Sequence, residues 1–425
     1  MSESDVKPVR VLWLSNKVQS NQDRGSTGTW LDAMAQALVQ SDQVQLANVA
    51  MGPVRQTTRQ DSGSINQWII PASAQSRLRD GLPPAAIVED ICRVVEEFAP
   101  DVVHVWGTEA FWGLLPARGL IRRPTLLEMQ GVKSAIARVY HGDLTWREQM
   151  ACIGVKEIVR GNSIPQGRSR FAAWTRYEAE IIAGQRFVTV QSPWLEAQIR
   201  ALNSQCLVFH NDFALRQPFY AATPWQPAAR TSIFCSASYP SPFKGIHTAV
   251  RTLAVVKRRS PEIQLRMAGA LQRPGLRQEG YMAWVNREAR RLGVEENVQW
   301  LGALSADQIV AEMQKCAAVF LPTFIEGYCL ALAEAMAIGA PAAVAYVGGA
   351  AHLARDEESA LYFSPGDVEM AAYQVGRLLT DLALAEQLGG RARTVAIERN
   401  DPSRIIQRQL DIYRAVLQAG AGQVN

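Results

Sequence analysis

The sequence predicts an α/β protein built from two Rossmann-like domains, each a doubly wound parallel sheet, which face each other across a cleft. The chain has 425 residues, more than one ordinary hydrophobic core can accommodate. Short apolar segments typical of buried strands alternate with amphipathic helical segments along its whole length. This alternation breaks at a proline-rich stretch after residue 212 and then restarts. We therefore expect a first domain over residues 1–212, a second over 213–398 and a final helix over 399–425.

The expected strands are apolar segments rich in β-branched residues. In the first domain they are 9–15, 44–50, 68–70, 101–106, 125–129, 186–190 and 206–210. In the second domain they are 232–237, 263–269, 298–302, 317–322 and 341–346. Helical spacing of apolar residues predicts helices from about 30, over 87–98, from 245, near 280–292, from about 328 and after 402. Ligands of such sheets bind beyond the carboxyl ends of the strands, so the loops there are the places to look for a site.

The composition is that of a soluble globular enzyme, with 48% hydrophobic and 20% charged residues. No apolar run approaches the roughly 18 residues of a membrane span, and the N-terminus carries acids where a secretory signal needs basic residues. The six cysteines show no CxxC spacing, which argues against disulfides or a zinc site. We expect a cytoplasmic protein.

Positive charge is concentrated in one part of the first domain. Residues 117–186 contain twelve Lys or Arg and six Asp or Glu. Such a region suits an anionic partner, namely a lipid phosphate, a membrane surface or a nucleic acid. The alternative is a solvated basic face with no partner.

Polar or flexible residues follow three strands of the first domain. Gly28 lies in a loop before a helix N-terminus, which offers free N–H groups to an anion, although an ordinary capped loop fits equally well. Thr108 and Glu109 follow one strand, and Gln130 follows the next. The three side chains are predicted to face the cleft and to form one wall of a substrate site.

Lys244 stands before Gly245 at the start of a predicted helix, where the helix dipole does not favour a cation. A bound diphosphate would explain this position, because a helix N-terminus and an ammonium group together make a strong anion site. The alternative is an exposed lysine that extends into solvent.

The segment FIEGYCLALAEAMAIGAP (324–341) places Glu326 before, and Glu334 inside, a helix that is apolar all round. Such a helix must be buried, and a buried carboxylate needs hydrogen-bond donors, which the hydroxyls of a ribose would supply. Eight helical residues span roughly 12 Å, about the distance between the two ends of a nucleotide sugar. The alternative is an ordinary N-terminal acid and a salt-bridged core residue.

These residues bring the sequence close to a known family. The E-x7-E pattern, with FLPTFIEGY before it and EAMAIGAP at its end, resembles glycosyltransferase family 4, the retaining GT-B "group 1" enzymes that use nucleotide sugars. FKGIHTAV is similar to that family's Lys-Gly turn, VQWLGAL to its strand before the base pocket, and YVGGAAHL to its double-glycine loop. The resemblance covers the second domain well and the first weakly. Gln130-Gly131 is similar to a subgroup that acts in surface polysaccharide biosynthesis.

The resemblance implies a role for each matching residue. Glu326 would contact the donor sugar, Lys244 the diphosphate and Glu334 the ribose, while Gln130 stands where many members have a histidine near the sugar. Tyr239 replaces an arginine of the family, so one diphosphate cation is absent or comes from elsewhere. The other implied donor-binding positions are Gly28, Gly327, Tyr328, Cys329, Leu304 and Ser238. Thr108 and Glu109 would then lie on the acceptor side.

The resemblance therefore implies a hexosyltransferase that moves a sugar from a UDP- or GDP-linked donor to an acceptor hydroxyl with retention, without a metal or other cofactor. The basic region 117–186 would suit a glycan or lipid-phosphate-linked acceptor at the inner face of the membrane. The final helix would cross back onto the first domain. The alternatives are a sugar-nucleotide epimerase on the same fold, a nucleic-acid-directed glycosyltransferase, which no nucleic-acid-binding motif supports, and an inactive nucleotide-binding subunit.

Overall fold

The computed structural model describes residues 7–20, 29–237, 239–269 and 278–421, and the first half of the chain forms one sheet. Its strands are β1 (Val9–Ser15), β2 (Val44–Gly52), β3 (Thr58–Arg59), β4 (Asn66–Pro71), β5 (Val102–Trp106), β6 (Thr125–Glu128), β7 (Phe187–Val190) and β8 (Leu207–His210). Their order is β3-β4-β2-β1-β5-β6-β7-β8, and only the pairing of β3 with β4 is antiparallel. Strand β3 escapes prediction, because its two polar, exposed residues carry no apolar signal.

The second half forms a parallel sheet of its own. Its strands are β9 (Ser232–Ser236), β10 (Gln264–Ala268), β11 (Val298–Gly302), β12 (Ala318–Leu321), β13 (Ala342–Ala345) and β14 (Leu361–Phe363). The order is β11-β10-β9-β12-β13-β14. The chain starts in the middle of each sheet and adds strands on both sides, which creates a crevice beyond the carboxyl ends of β1 and β5 and of β9 and β12. The prediction of two parallel-sheet domains is confirmed.

Helices cover both sheets. A helix is present near each of the six predicted positions, such as α2 (Ala85–Phe98) at the predicted 87–98, but others, such as Ile164–Ala183, were not predicted. Helix α2, for example, buries Ile91, Val94 and Phe98 at helical spacing and ends at Ala99, which has a left-handed φ of 45°. The helices are α1 (Thr29–Gln40), α2 (Ala85–Phe98), α3 (Leu114–Ala117), α4 (Lys133–Arg138), α5 (Trp146–Ala151), α6 (Val155–Arg160), α7 (Ile164–Ala183), α8 (Pro193–Leu202), α9 (Gln217–Ala221), α10 (Ile246–Lys257), α11 (Gly280–Arg291), α12 (Ala306–Lys315), α13 (Leu330–Ile338), α14 (Ala350–Leu353), α15 (Val368–Thr380), α16 (Leu382–Arg399) and α17 (Pro402–Ala421).

Helix α17 follows the second sheet in sequence but packs against strands β5 and β6 of the first. The hydroxyl of Tyr413 lies 2.8 Å from Nδ1 of His104 and accepts a hydrogen bond from Nε1 of Trp13 at 3.3 Å. Burial lowers the pKa of His104 to about 3, so its imidazole is neutral at physiological pH. The last helix thus completes the core of the first sheet.

A second contact between the two halves lies beside the crevice. Asp143, in the turn before α5, accepts from Nε2 of His247 on α10 at 2.5 Å, and His247 is fully buried. The carboxylate of Glu157 on α6 accepts from the backbone N–H of Gly280, at the start of α11, at 3.0 Å. These contacts hold the segment 141–160 against α10 and α11 of the second sheet.

Across the residues that the structure describes, no helix combines the length and the apolar character needed to cross a bilayer.

Candidate active site

A cavity of about 570 Å³ lies between the two sheets at the carboxyl ends of their strands. The first half of the chain contributes Trp30, Gln130, Gly131, Val132, Ile136 and Trp194 to its wall. The second half contributes two acid–base pairs, Lys244 with Glu326 and Arg216 with Glu334, together with the segment that joins the two glutamates. A concave, largely preformed cavity with a few convergent polar groups is the usual form of a small-molecule site.

Lys244 is positioned by a tight turn. It ends a 3₁₀ turn over Pro242–Lys244, and Gly245 then starts α10 with a left-handed φ of 69°. A Cβ on Gly245 would lie 1.8 Å from the carbonyl oxygen of Pro322, so only glycine lets the two loops approach this closely. The backbone N–H of Phe324 donates to the carbonyl of Phe243 at 2.8 Å, which ties the lysine turn to the loop carrying Glu326.

The side chains of Lys244 and Glu326 form an ion pair with 2.7 Å between Nζ and Oε1, and both are largely buried. Burial alone lowers the pKa of Lys244, but the charge of Glu326 and its hydrogen bond outweigh burial, and the pKa is raised above its usual value. The lysine is therefore cationic at physiological pH. The alternative in which Lys244 extends into solvent is therefore wrong.

The two domains approach each other closely at Gly327 in this cavity. A Cβ at this position would lie 2.1 Å from the carbonyl oxygen of Gln130. The hydroxyl of Ser192 donates to the carbonyl of Gly327 at 3.2 Å, so residues of the first domain contact the Glu326–Gly327 turn directly. The backbone N–H of Gly349 supports the same turn from the other side by donating to the carbonyl of Glu326 at 2.9 Å.

The helix that carries Glu334 begins later than expected. Helix α13 starts at Leu330, and Cys329 before it has a left-handed φ of 77°, which is uncommon for any residue except glycine. The expectation of eight helical residues between Glu326 and Glu334 is therefore wrong, since the first part of this interval forms an irregular turn. Residues 327–329 of this turn line the cavity and lie outside the helix.

Glu334 is buried and paired with a residue that the sequence does not indicate. Nε and a terminal nitrogen of Arg216 donate to its Oε1 at 3.0 and 2.7 Å. Burial raises the pKa of Glu334, and the charge and hydrogen bonds of Arg216 act in the opposite direction. Within the described residues Oε2 has no hydrogen-bond partner, so one oxygen of this carboxylate remains for a ligand in the cavity. The alternative in which Glu334 forms a salt bridge is therefore confirmed, and the pair lies at the wall of the cavity.

The other donor-side residues divide into three groups. Gln130, Leu304, Gly327, Tyr328 and Cys329 line the cavity, as predicted. Tyr239 does not line it: this residue is 56% exposed and borders a smaller cleft next to α6. Gly28 and Ser238 lie outside the described residues.

The predicted acceptor-side residues do not line the cavity either. Thr108 is fully buried, and its hydroxyl donates to Oε1 of Glu178 at 3.0 Å. Oε1 of Glu109 accepts from the backbone N–H of Gly131 at 2.7 Å. The prediction that both side chains face the cleft is corrected: they turn inward and hold the loop that presents Gln130.

Sequence reasoning missed three features of the site. Glu178 on α7 also accepts from the backbone N–H groups of Lys133 and Ser134 at 2.8 and 2.9 Å, so it anchors the start of α4 below Gln130. Arg216 lies in the proline-rich stretch that the sequence marks only as a linker. The ring of Trp30 packs on that of Phe213 with 4.0 Å between centroids and closes one end of the cavity.

His, Cys, Asp and Glu side chains form no group of three or more that could hold a metal ion within the described parts of the chain.

Comparison with known proteins finds similarity in the part of the chain that carries most of this site. Residues 225–395 match the family model described as glycosyl transferases group 1. The glycogen synthase of Mycobacterium tuberculosis is 28% identical over 180 residues, which are 42% of this chain and 41% of that relative. The D-inositol 3-phosphate glycosyltransferase of Segniliparus rotundus is 31% identical over 182 residues, 42% of this chain and 39% of that relative. The matched segment thus spans about two fifths of these curated relatives.

Solved structures resemble the chain over nearly its whole length. Sucrose-phosphate synthase from Thermosynechococcus elongatus superposes with a TM-score of 0.74 at 16% identity, covering 97% of this chain and all of that one. The Anabaena protein HepE, solved in complex with UDP-glucose, superposes with a TM-score of 0.66 at 18% identity, covering 95% of this chain and 98% of that one. At this identity the likeness concerns the fold alone, and that fold is GT-B, as predicted.

Proposed function

We propose that the protein is a retaining glycosyltransferase, a proposal supported by the match of residues 225–395 to the family model of the glycosyl transferases group 1. It would transfer a hexose from a nucleotide sugar to an acceptor hydroxyl in the cavity between its domains. The observation that carries the proposal is the pairing of two acids with two cations along one wall of that cavity.

The two pairs suit the two ends of a nucleotide sugar. Glu334 keeps one oxygen for ligand hydroxyls, such as those of a ribose, while Arg216 holds the other oxygen in place. The irregular turn at residues 327–329 lines the cavity between the two glutamates, and its backbone N–H groups would bind the polar groups in the middle of the ligand.

The reacting end would lie at Lys244 and Glu326. Departure of the nucleotide places new negative charge on the diphosphate, and a preorganised ammonium group in a partly dehydrated cavity stabilises such charge strongly. The diphosphate would then compete with Glu326 for Lys244. Release from the lysine would free the Glu326 carboxylate for the hydroxyls of the transferred sugar, as the family resemblance implies.

No metal is needed in this scheme, because Lys244 supplies the positive charge at the diphosphate. Removal of divalent ions with a chelator is expected to leave the transfer rate unchanged. A rate that disappears with the chelator and returns with Mg²⁺ would contradict this part of the proposal.

The acceptor is proposed to be a glycan or a lipid-phosphate-linked saccharide, in keeping with the basic region 117–186. Among the relatives, one is named for glycogen and another for inositol phosphate, so the relatives alone do not fix the acceptor class. The charge excess favours an anionic acceptor over a neutral one.

Donor choice is tested with a thermal-shift panel of UDP, GDP and their glucose and mannose conjugates. A ligand present at about a hundred times its dissociation constant stabilises the folded protein by about 2.7 kcal/mol, so one nucleotide series should raise the melting temperature clearly. Stabilisation by none of these compounds would contradict the proposal.

Turnover is tested by following nucleotide release from the preferred donor with and without candidate saccharide acceptors. Lys244→Met and Glu326→Gln are each expected to remove most of the transfer while leaving the melting temperature of the free protein nearly unchanged. Lys315→Met, at the exposed end of α12, is the matched control. Conversion of the donor sugar to its epimer in the absence of any acceptor would instead identify an epimerase.

A further inference from the structure

Helix α6 presents an apolar face to solvent. Val155, Ile158 and Val159 lie on one side of the helix at spacings of three and four residues, and they are 65%, 72% and 79% exposed. The opposite side is well engaged: Glu157 is buried against the start of α11, and the ammonium group of Lys156 pairs with Glu279. The helix is therefore held firmly, and its apolar side is left without a protein partner among the described residues.

The preceding helix, which packs against α11 as α6 does, carries a further exposed apolar side chain. Trp146, the first residue of α5, is 65% exposed, although a tryptophan is normally among the more buried side chains. Four large apolar side chains are thus exposed between Trp146 and Val159, with tryptophan at one end. Contiguous exposed apolar surface on a folded protein marks a binding site for another protein or for a membrane.

The charges around these helices select between the two kinds of partner. Residues 138–170 contain six Lys or Arg and three Asp or Glu. All three acids are engaged, Asp143 with His247, Glu148 with Arg251, and Glu157 with backbone N–H groups. Arg147 and Arg160 are exposed, and neither is paired with a carboxylate in the part of the chain that the structure describes. The free charge of this surface is consequently positive.

We propose that the surface formed by Trp146, Val155, Ile158, Val159, Arg147 and Arg160 docks onto the face of a lipid bilayer that contains anionic lipids. Apolar side chains flanked by arginines enter the boundary between headgroups and acyl chains while the guanidinium groups contact lipid phosphates. A second copy of this chain fits less well, because a two-fold interface places the same positive surface on both sides.

The surface lies beside the candidate active site. Arg170 donates to the carbonyl of Gly161 at the end of α6, and it borders a small cleft together with Glu157 and the loop 239–242. That loop leads directly into the turn of Lys244. Helix α6 is thus connected through this cleft to the turn that carries Lys244.

Vesicle co-sedimentation tests the docking without any donor or acceptor, so its outcome is independent of the proposed activity. The full chain is mixed with vesicles of phosphatidylcholine alone and with vesicles that also contain phosphatidylglycerol. We expect binding to the anionic vesicles that weakens with added salt, and much weaker binding to phosphatidylcholine alone. Equal binding to both vesicle types, or binding to neither, would overturn the proposal.

Three variants test whether vesicle binding takes place through this surface. The double change Ile158→Glu and Val159→Glu is expected to lower the vesicle partition coefficient at least about tenfold, because two apolar side chains leave the bilayer. Arg147→Gln and Arg160→Gln are each expected to lower it about fivefold. The control adds the same two charges elsewhere, with Val395→Glu and Ile397→Glu at two exposed positions of α16, and should change partitioning little.

Melting temperatures verify that the variants fold, and the milder pair Ile158→Ser and Val159→Ser replaces the glutamates if they do not. Wild-type partitioning of the serine or glutamate pair would overturn the proposal. Size-exclusion chromatography tests whether the surface mediates self-association instead. A dimer that dissociates when Ile158 and Val159 are changed would likewise overturn the proposal.

Discussion

Replacement of Arg216 should lower the free energy of unfolding, because Glu334 would remain buried at the cavity wall without its ion-pair partner. Arg216→Met retains most of the aliphatic length but removes the two donors that bind Oε1 at 3.0 and 2.7 Å. The side chains of the pair are only 14% and 10% exposed. Breaking a buried pair by deleting one partner typically costs about 3–5 kcal/mol. Because Glu334 lines the cavity and is not enclosed entirely by protein, we expect about 2–3 kcal/mol at neutral pH.

The deficit should depend on pH in a defined direction. Burial already raises the pKa of Glu334 above its usual 4.5, and Arg216 opposes that rise, so the variant raises it further. A carboxyl with a raised pKa binds protons more readily in the folded state than in the unfolded state, so it costs stability as pH rises from the unfolded pKa through the folded one. The variant's deficit should thus be largest at neutral pH and disappear as pH falls toward about 4.5.

Thermal unfolding followed by circular dichroism at several pH values measures this effect. A loss of about 2–3 kcal/mol in a domain of this size corresponds to about 5 °C or more in melting temperature. The double variant Arg216→Met with Glu334→Gln should recover most of the loss, since no buried charge remains. Arg290→Met breaks an exposed pair with Glu295 and should change stability by less than about 1 kcal/mol. A pH-independent deficit, or no recovery in the double variant, would refute the reasoning.

Two further predictions concern the elements that support the site. Gly245→Ala should lower both the melting temperature and donor affinity, because its Cβ would lie 1.8 Å from the carbonyl oxygen of Pro322. In the control Gly376→Ala on α15, the added Cβ meets no atom within 4 Å, so this change should be neutral or slightly stabilising. Equal effects of the two changes would contradict this. Tyr413→Phe leaves buried polar atoms of His104 and Trp13 without their partner and should cost about 1–3 kcal/mol in denaturant unfolding; unchanged stability would show that this contact does not hold α17.

Much of the fold follows from local sequence patterns. Apolar segments such as 102–106 and 318–321 are buried parallel strands because helices cover both faces of each sheet, and their boundaries agree with the structure within one or two residues. The two short strands that sequence reasoning missed, β3 and β14, lie at the edges of their sheets. Edge strands of two or three residues carry too little periodicity to be recognised.

Site residues could be predicted where their local sequence context is unusual. They could not be predicted where their role depends on a contact with a residue distant in sequence. Lys244 and Glu326 stand out because each is an unusual charge in an apolar context. Arg216 lies 118 residues from Glu334, and nothing local marks it as the partner. Thr108 and Glu178 are 70 residues apart, so the inward turn of Thr108 could not be seen from the strand that precedes it.

The late start of α13 had a different cause. Residues 326–329 contain one glycine and no proline, so the apolar pattern favours a helix that begins near residue 328. In the structure Cys329 adopts a left-handed conformation, which is common only for glycine and a few small polar residues such as asparagine. Tertiary contacts at Gly327 from Gln130 and Ser192 accompany this unusual backbone.

The central claim is that a nucleotide sugar binds through Lys244 at one end and Glu334 at the other. Titration calorimetry of the nucleotide diphosphate preferred in the thermal-shift panel tests it most directly, with wild-type protein, Lys244→Met, Glu334→Gln and the control Lys315→Met. We expect at least about tenfold weaker binding for Lys244→Met and Glu334→Gln, equivalent to about 1.4 kcal/mol each, and wild-type affinity for Lys315→Met. Unchanged affinity in both site variants would contradict it.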